Sequence, residues 1–174
     1  MNVCKIEKNL STDSLSTERR TMRPHFMEHS SEWGQPLFKV LAHNDTGAAV
    51  GHQGGILIPK AMRKYFPVLN GIVSDLQPTI DQRLTAQLFI EEKYLGSVST
   101  RYQFQTWTGK RKPESRITDE LGPMRNSAEQ GDILIFQKST TEDLSYCLTL
   151  VRKTSKFYPV VLPRTNNRRW GELC

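Results

Sequence analysis

The sequence has 174 residues, enough for one domain with a hydrophobic core, although its hydrophobic share of 37% is low for a globular chain. The net charge of +6 favours an anionic partner, nucleic acid before membrane. No apolar run approaches the roughly 18 residues of a membrane span, and the N-terminus lacks the apolar segment of a signal peptide.

Three cysteines, Cys4, Cys147 and Cys174, lie far apart and form no C-x-x-C pair. Their odd number and spacing predict neither a zinc site nor a disulfide framework. A reducing environment is the simplest interpretation. We therefore predict a cytoplasmic protein without membrane association.

Residues 1–33 are rich in Ser, Thr, Glu and Arg and predict a weakly structured, polar lead-in. A strand-like run, Leu37 to Ala42, then enters a long glycine-rich loop at 43–55. This loop carries His, Asn, Asp, Thr and Gln side chains, and long loops are often functional. It runs into an apolar strand at 55–58 and a short helix at 59–66, in which Lys60, Arg63 and Lys64 share one side.

The second half shows more strand patterns than helix patterns. Alternation predicts strands at 85–90, 95–102, 102–107, 133–136 and 144–151, with a last strand suggested at 157–162. Strands do not alternate with helices, which argues against a parallel α/β sheet. A small, mainly β barrel or sandwich with short helices at its ends is favoured.

One carboxylate pattern matches a metal-dependent nuclease core. Asp81 followed by Glu91-Glu92-Lys93 has the spacing of two acids that hold magnesium and a lysine that polarises the attacking water. Glu-x-Lys also occurs by chance, and here it falls where a strand turns. A magnesium-dependent nuclease using Asp81, Glu91 and Lys93 stays open as an alternative.

The other candidate site is the pair of polar loops at 43–55 and 109–118. The second loop holds Lys110, Arg111, Lys112, Glu114 and Arg116 within seven residues. Arg and Lys donate to guanine, whereas a carboxylate accepts from the amino group of cytosine. An acid among bases is thus a sign of base reading, because a loop that only neutralised phosphate would gain nothing from Glu114. The competing interpretation is that Glu114 pairs with a neighbouring cation on a solvated turn.

Both loops resemble a known family. Asn44-Asp45-Thr46-Gly47-Ala48, Gly51-His52-Gln53, Gly55 and Ile58-Pro59, followed by Gly109-Lys110, Glu114 and Arg116-Ile117-Thr118, resemble the DNA-contacting loops of the N-terminal effector domain of EcoRII-like restriction endonucleases. The resemblance implies a seven-stranded open pseudobarrel with two short helices, the B3-like DNA-binding fold, over residues 34–165. Residues 166–174 would then be a basic tail or a linker to a catalytic domain.

The resemblance also implies a function. It implies sequence-specific binding of double-stranded DNA by two arms in the major groove, at a CCWGG-like site in which W is A or T. The chain would be a non-catalytic, monomeric specificity domain without a cofactor. Cleavage would fall to a C-terminal nuclease domain of the same polypeptide, which would use Mg²⁺. A transcription-factor-type DNA-binding domain is a further alternative.

Matching positions give the expected contacts. Base contacts are assigned to His52, Lys110, Lys112, Glu114 and Arg116, and further DNA contacts to Asn44, Asp45, Gln53, Lys60, Lys64, Arg111 and Ser115. Three positions depart from the family pattern: Lys112 replaces Arg, Leu57 replaces a contacting Tyr, and Ser115 replaces Lys. Lys keeps the charge of Arg but loses its bidentate fork.

Overall fold

The computed structural model describes residues 24–49, 54–107 and 111–174. These contain one eight-stranded sheet in the order β2-β5-β4-β3-β7-β6-β1-β8. Neighbouring strands are antiparallel except for the parallel pair β3 and β7. The strands are β1 Leu37–Val40, β2 Ile56–Ile58, β3 Thr79–Ile90, β4 Lys93–Gln105, β5 Glu114–Thr118, β6 Ile133–Lys138, β7 Ser145–Val151 and β8 Trp170–Glu172.

Helices are short and lie outside the sheet. The two α-helices, α1 Gly122–Arg125 and α2 Tyr158–Val161, have four residues each. Four 3₁₀ turns accompany them, at His25–Met27, His43–Asp45, Lys60–Tyr65 and Leu162–Thr165. The suggested strand at 157–162 is helical instead, because Pro159 lies in the first turn of α2, where its ring and missing N–H fit a helix.

The mainly β prediction is confirmed, with one strand more than expected. The additional strand, β8, lies in the segment assigned to a tail, and it pairs with β1. Leu173 is 2% exposed, and its backbone N–H donates to the carbonyl of Pro36 at 3.0 Å. The sheet therefore extends beyond residue 165. The sequence did not predict β8, because a strand of three residues is too short to show an alternating pattern.

Apolar side chains pack on both sides of the sheet around β6. Leu134 and Phe136 face the main core, whereas Ile133 and Ile135 belong to a second cluster. That cluster includes Phe26 and Met27, which are buried although they fall in the predicted lead-in, together with residues of β1, β7 and α2. Burial of both faces explains why β6 is a continuous apolar run rather than an alternating one.

The state of one cysteine differs from the expectation from the sequence. Cys174 is disulfide-bonded, although the cysteine spacing predicted no disulfide. Within the described ranges, no helix is long and apolar enough to cross a membrane.

The ribbon of β4 and β5 sets up the candidate site. Gln103 lies opposite Arg116, and Gln105 lies opposite Glu114. Side chains alternate between the two faces of a strand, so these four residues share one face. The neighbouring pair, Tyr102 and Ile117, points the other way into the main core.

Candidate functional site

A polar groove of about 550 Å³ lies between the two predicted loops. We call residues 43–55 the first arm and residues 106–113 the second arm. The first arm contributes Gly54 and Gly55 to the groove, and the second contributes Trp107. The remaining lining residues are Arg101, Gln103, Gln105, Arg116, Thr118, Asp119, Glu120, Leu121, Gly122 and Arg125.

Arg116 and Glu114 form an ion pair at the start of β5. Nε of Arg116 donates to Oε1 of Glu114 at 2.7 Å, and the two side chains are 10% and 22% exposed. Arg116 lines the groove, so the pair orients a guanidinium against it. Glu114 thus does pair with a neighbouring cation, as the competing interpretation held, but on a strand beside the groove rather than on a solvated turn.

The groove face of β4 carries polar residues that sequence reasoning did not single out. Arg101, Gln103, Gln105 and Trp107 all line the groove. Their spacing of two, with Tyr102 on the opposite face, is the signal that could have found them. Sequence periodicity alone did not show which face was buried.

The base of the first arm is fixed by a buried carboxylate. Asp45 is 1% exposed and accepts from Nζ of Lys39 at 2.7 Å. It also accepts from the backbone N–H groups of Ala42 at 2.8 Å and Leu57 at 2.9 Å. The carboxylate of Asp45 is therefore held within the protein by three donors, and its DNA contact stays a prediction.

Lys39 carries the other half of this ion pair. Its Nζ also donates to the carbonyl of Leu57, so β1 is linked to β2 by a side chain. Burial lowers the pKa of Lys39, because desolvation of the ammonium outweighs the attraction of Asp45.

Arg125 clamps the first arm onto α1. Its Nε donates to the carbonyl of Asp45 at 2.9 Å, and its Nη2 donates to that of Thr46 at 2.7 Å. In return the N–H of Gly47 donates to the carbonyl of Arg125 at 2.8 Å. Three hydrogen bonds thus hold the turn that begins the arm, and Arg125 also lines the groove.

The second arm presents cations to solvent. Arg111 stacks over the ring of Trp107, with the guanidinium carbon 5.2 Å from the ring centroid, and Lys112 is exposed. Arg63 donates to the carbonyl of Pro113 at 3.3 Å, which ties the base of the arm to the turn at Lys60–Tyr65.

The other predicted contacts are placed as follows. Asn44, Lys60 and Lys64 are exposed. Ser115 is 1% exposed and lies on the core face of β5, opposite in direction to Glu114 and Arg116, and its DNA contact stays a prediction. Three predicted residues, His52, Gln53 and Lys110, lie outside the described residues.

The nuclease pattern does not assemble in space. Asp81 and Glu91 are ten residues apart along β3 and its turn, which corresponds to roughly 30 Å in an extended strand. Both carboxylate oxygens of Glu91 accept from Arg152, at 3.2 and 3.3 Å. In the described parts of the chain, no group of three or more His, Cys, Asp or Glu residues could hold a metal ion. The magnesium-core alternative is therefore wrong for these residues. Asp81 lies near the start of β3 and Glu91 lies just after its end, so the extended strand holds the two carboxylates apart.

Comparisons with known proteins give one informative likeness. No protein-family model matches the sequence, and no curated protein matches it. Among solved structures, the chain is similar to the B3 domain of the UbaLAI restriction endonuclease, crystallised with cognate DNA. The TM-score is 0.50 at 19% sequence identity, over 75% of this chain and 76% of that one. The chain therefore has the B3-type pseudobarrel fold that its resemblance to EcoRII-like effector domains implied.

Proposed function

We propose that this chain binds double-stranded DNA in a sequence-specific manner, with its two arms in the major groove. One observation carries the proposal: Arg116, oriented by its ion pair with Glu114, lines a polar groove between two arms, on a fold similar to that of a domain crystallised with DNA. The net charge of +6 is consistent with a polyanionic partner.

The residues fall into two roles in this proposal. Arg116 donates to the O6 and N7 of a guanine, and Glu114 accepts from the amino group of an adjacent cytosine. Because the two side chains already bind each other at 2.7 Å, the guanidinium is pre-oriented before DNA arrives. Lys112 and the arm residues Lys110 and His52 are further base contacts.

Exposed residues around the groove would contact the backbone. Lys60 and Lys64 project from the 3₁₀ turn beside the second arm, and Arg111 is held by Trp107. These cations neutralise phosphate and carry no sequence information. Asn44 and Gln53 complete the first arm's set of contacts.

The proposed setting is the specificity domain of a type II restriction endonuclease, with a CCWGG-like site. The domain would be a cytoplasmic monomer that needs no cofactor, and DNA cleavage would belong to a Mg²⁺-dependent nuclease domain of the same polypeptide. A transcription-factor-type domain shares the fold but lacks an attached nuclease, so the full-length gene product discriminates the two.

Selection of duplexes from a random pool, at two salt concentrations, tests the proposal. Arg116→Ala should cost about 1–3 kcal/mol on the selected site and relax one position, whereas Lys64→Ala should weaken all duplexes alike. Two salt concentrations are needed because phosphate contacts make affinity steeply salt-dependent. Failure of the unmodified protein to enrich any sequence would contradict sequence-specific binding, and equal losses for both variants on cognate and random duplexes would contradict the role of Arg116.

A further inference from the structure

Two glutamines, Gln103 and Gln105, lie on the groove face of β4. Both are half-buried and line the groove. Within residues 24–49, 54–107 and 111–174, neither side-chain amide makes a hydrogen bond to another group. A primary amide offers two donors and one acceptor, so each side chain keeps its full recognition capacity.

Cross-strand register places these amides beside the Arg116–Glu114 ion pair. Gln103 is opposite Arg116, and Gln105 is opposite Glu114. Side chains in such pairs have Cβ atoms about 4.5–5.5 Å apart. The ribbon therefore presents two rows of polar groups, each combining one amide with one charged side chain.

The spacing of the rows fits successive bases. Residues two apart on a strand are separated by about 6.6 Å. Stacked bases rise by about 3.4 Å, so the backbones of the two rows lie about two base steps apart along the groove. The 2.7 Å contact between Arg116 and Glu114 brings the charged ends of these two side chains together, toward adjacent bases.

We infer that Gln103 and Gln105 are specificity-determining residues that each read an adenine, next to the bases contacted by Arg116 and Glu114. Gln forms a bidentate pair with the N6 and N7 of adenine. This inference rests on the proposed DNA binding, but it adds a third recognition element, the β4 face, to the two arms.

Binding selection with Gln103→Ala and Gln105→Ala tests this inference. Each variant should lose one adenine position from the selected motif and bind the unmodified protein's best site about 5- to 150-fold more weakly, the ratio that corresponds to one bidentate pair. Affinity for random duplexes and its salt dependence should be unchanged, because no phosphate contact is removed.

Gln87→Ala is the matched control. Gln87 is also a half-buried glutamine on a strand. Asp81 of β3 lies opposite Gln103, and Gln87 is six residues further along β3, which places it about 20 Å from Asp81. This variant should select the unmodified motif.

Gln103→Glu gives a second measurement, which is the base selected at one position of the motif and not the affinity. A carboxylate accepts from the amino group of cytosine, so the preference at that position should change from adenine to cytosine. An unchanged motif in the Gln103 and Gln105 variants would overturn the inference and leave the proposed function standing. If the unmodified protein selects no motif at all, the proposed function itself fails.

Discussion

At the residue scale, the Lys39–Asp45 ion pair holds a motif residue of the first arm inside the protein. The side chains are 8% and 1% exposed, so neither charge is solvated by water. A carboxylate buried to this degree needs hydrogen-bond donors, and Asp45 has three, one from each of Lys39, Ala42 and Leu57. Asp45 therefore holds the base of the first arm from inside the protein.

Asp45→Ala should lower the free energy of unfolding by about 3–5 kcal/mol, because it leaves the Lys39 ammonium buried without its counter-ion. Urea denaturation measures this difference. Asp75→Ala is the control, since Asp75 is exposed, and it should change stability by no more than about 0.5 kcal/mol. Adding Lys39→Met to the Asp45 variant should recover part of the loss. Equal effects of the Asp45 and Asp75 variants would contradict the structural role.

At the element scale, the first arm is set by its close approach to α1. A Cβ atom at Gly47 would lie 2.5 Å from Oδ1 of Asn126, 2.9 Å from its Cα and 3.1 Å from the carbonyl of Arg125. Two of these atoms belong to the backbone and cannot move aside without shifting α1. Glycine is therefore required here by contact with another element, whatever the backbone conformation of the arm.

Gly47→Ala should destabilise the fold by about 1–3 kcal/mol, the usual cost of overpacking, and weaken DNA binding because the arm is displaced. Urea denaturation and duplex affinity are the two measurements. Gly122→Ala is the stability control, since a Cβ there meets nothing within 4 Å. A Gly47 variant as stable as the Gly122 variant would show that the arm is not held against α1.

The turn between β3 and β4 is held by an ion pair between Glu91 and Arg152. Glu91 has a φ of 55° in this turn, and its carboxylate accepts from Arg152. Partial burial raises the pKa of Glu91, but hydrogen bonds from Arg152 and Ser155 outweigh it, and the net direction is downward. The pair therefore stabilises the folded state above the ordinary pKa of a glutamate and is lost as the pH falls through the lowered value.

Glu91→Gln should lower the free energy of unfolding at pH 7 by about 0.5–1 kcal/mol, a modest value because Arg152 is 42% exposed. The difference from the unmodified protein should be smaller at about pH 3 than at pH 7, because the stabilisation by the ion pair is lost as the pH falls through the lowered pKa of Glu91. Urea denaturation at the two pH values checks this. Glu92→Gln changes an exposed neighbour and should show no such pH dependence. A Glu91 effect of equal size at both pH values would contradict the ion pair as its cause.

At the scale of the whole molecule, the C-terminal residues complete the sheet. The strand β8 pairs with β1 over three residues, and Leu173 packs in the cluster that also contains Phe26 and Phe38. Segments from both ends of the described chain thus meet on one face of the sheet. The net charge of the C-terminal region does not make it a tail, because charged side chains can face water while the backbone pairs.

Leu173→Ala should cost about 2–5 kcal/mol of unfolding free energy, as expected for a buried leucine. Leu76→Ala is the matched control, because Leu76 is 99% exposed and should contribute almost nothing. Urea denaturation of the two variants gives the comparison. A small loss at Leu173, similar to that at Leu76, would mean that β8 is dispensable to the fold.

Sequence alone was sufficient for the features that depend on local pattern. Alternation and apolar runs predicted most strands, such as β6 and β7, and turn residues predicted the two arms. The charges of the second arm and of the start of β5 were visible because Arg111, Lys112, Glu114 and Arg116 are close together in the chain. These are short-range properties, and a linear sequence displays them directly.

Only the tertiary structure decided which polar residues share a surface. Cross-strand register brings Gln103 and Gln105 beside Arg116 and Glu114, and burial turns Asp45 inward. The same register keeps Asp81 and Glu91 at opposite ends of β3. Register and burial are set by contacts between residues distant in sequence, so neither the groove face of β4 nor the place of β8 could be read from local pattern.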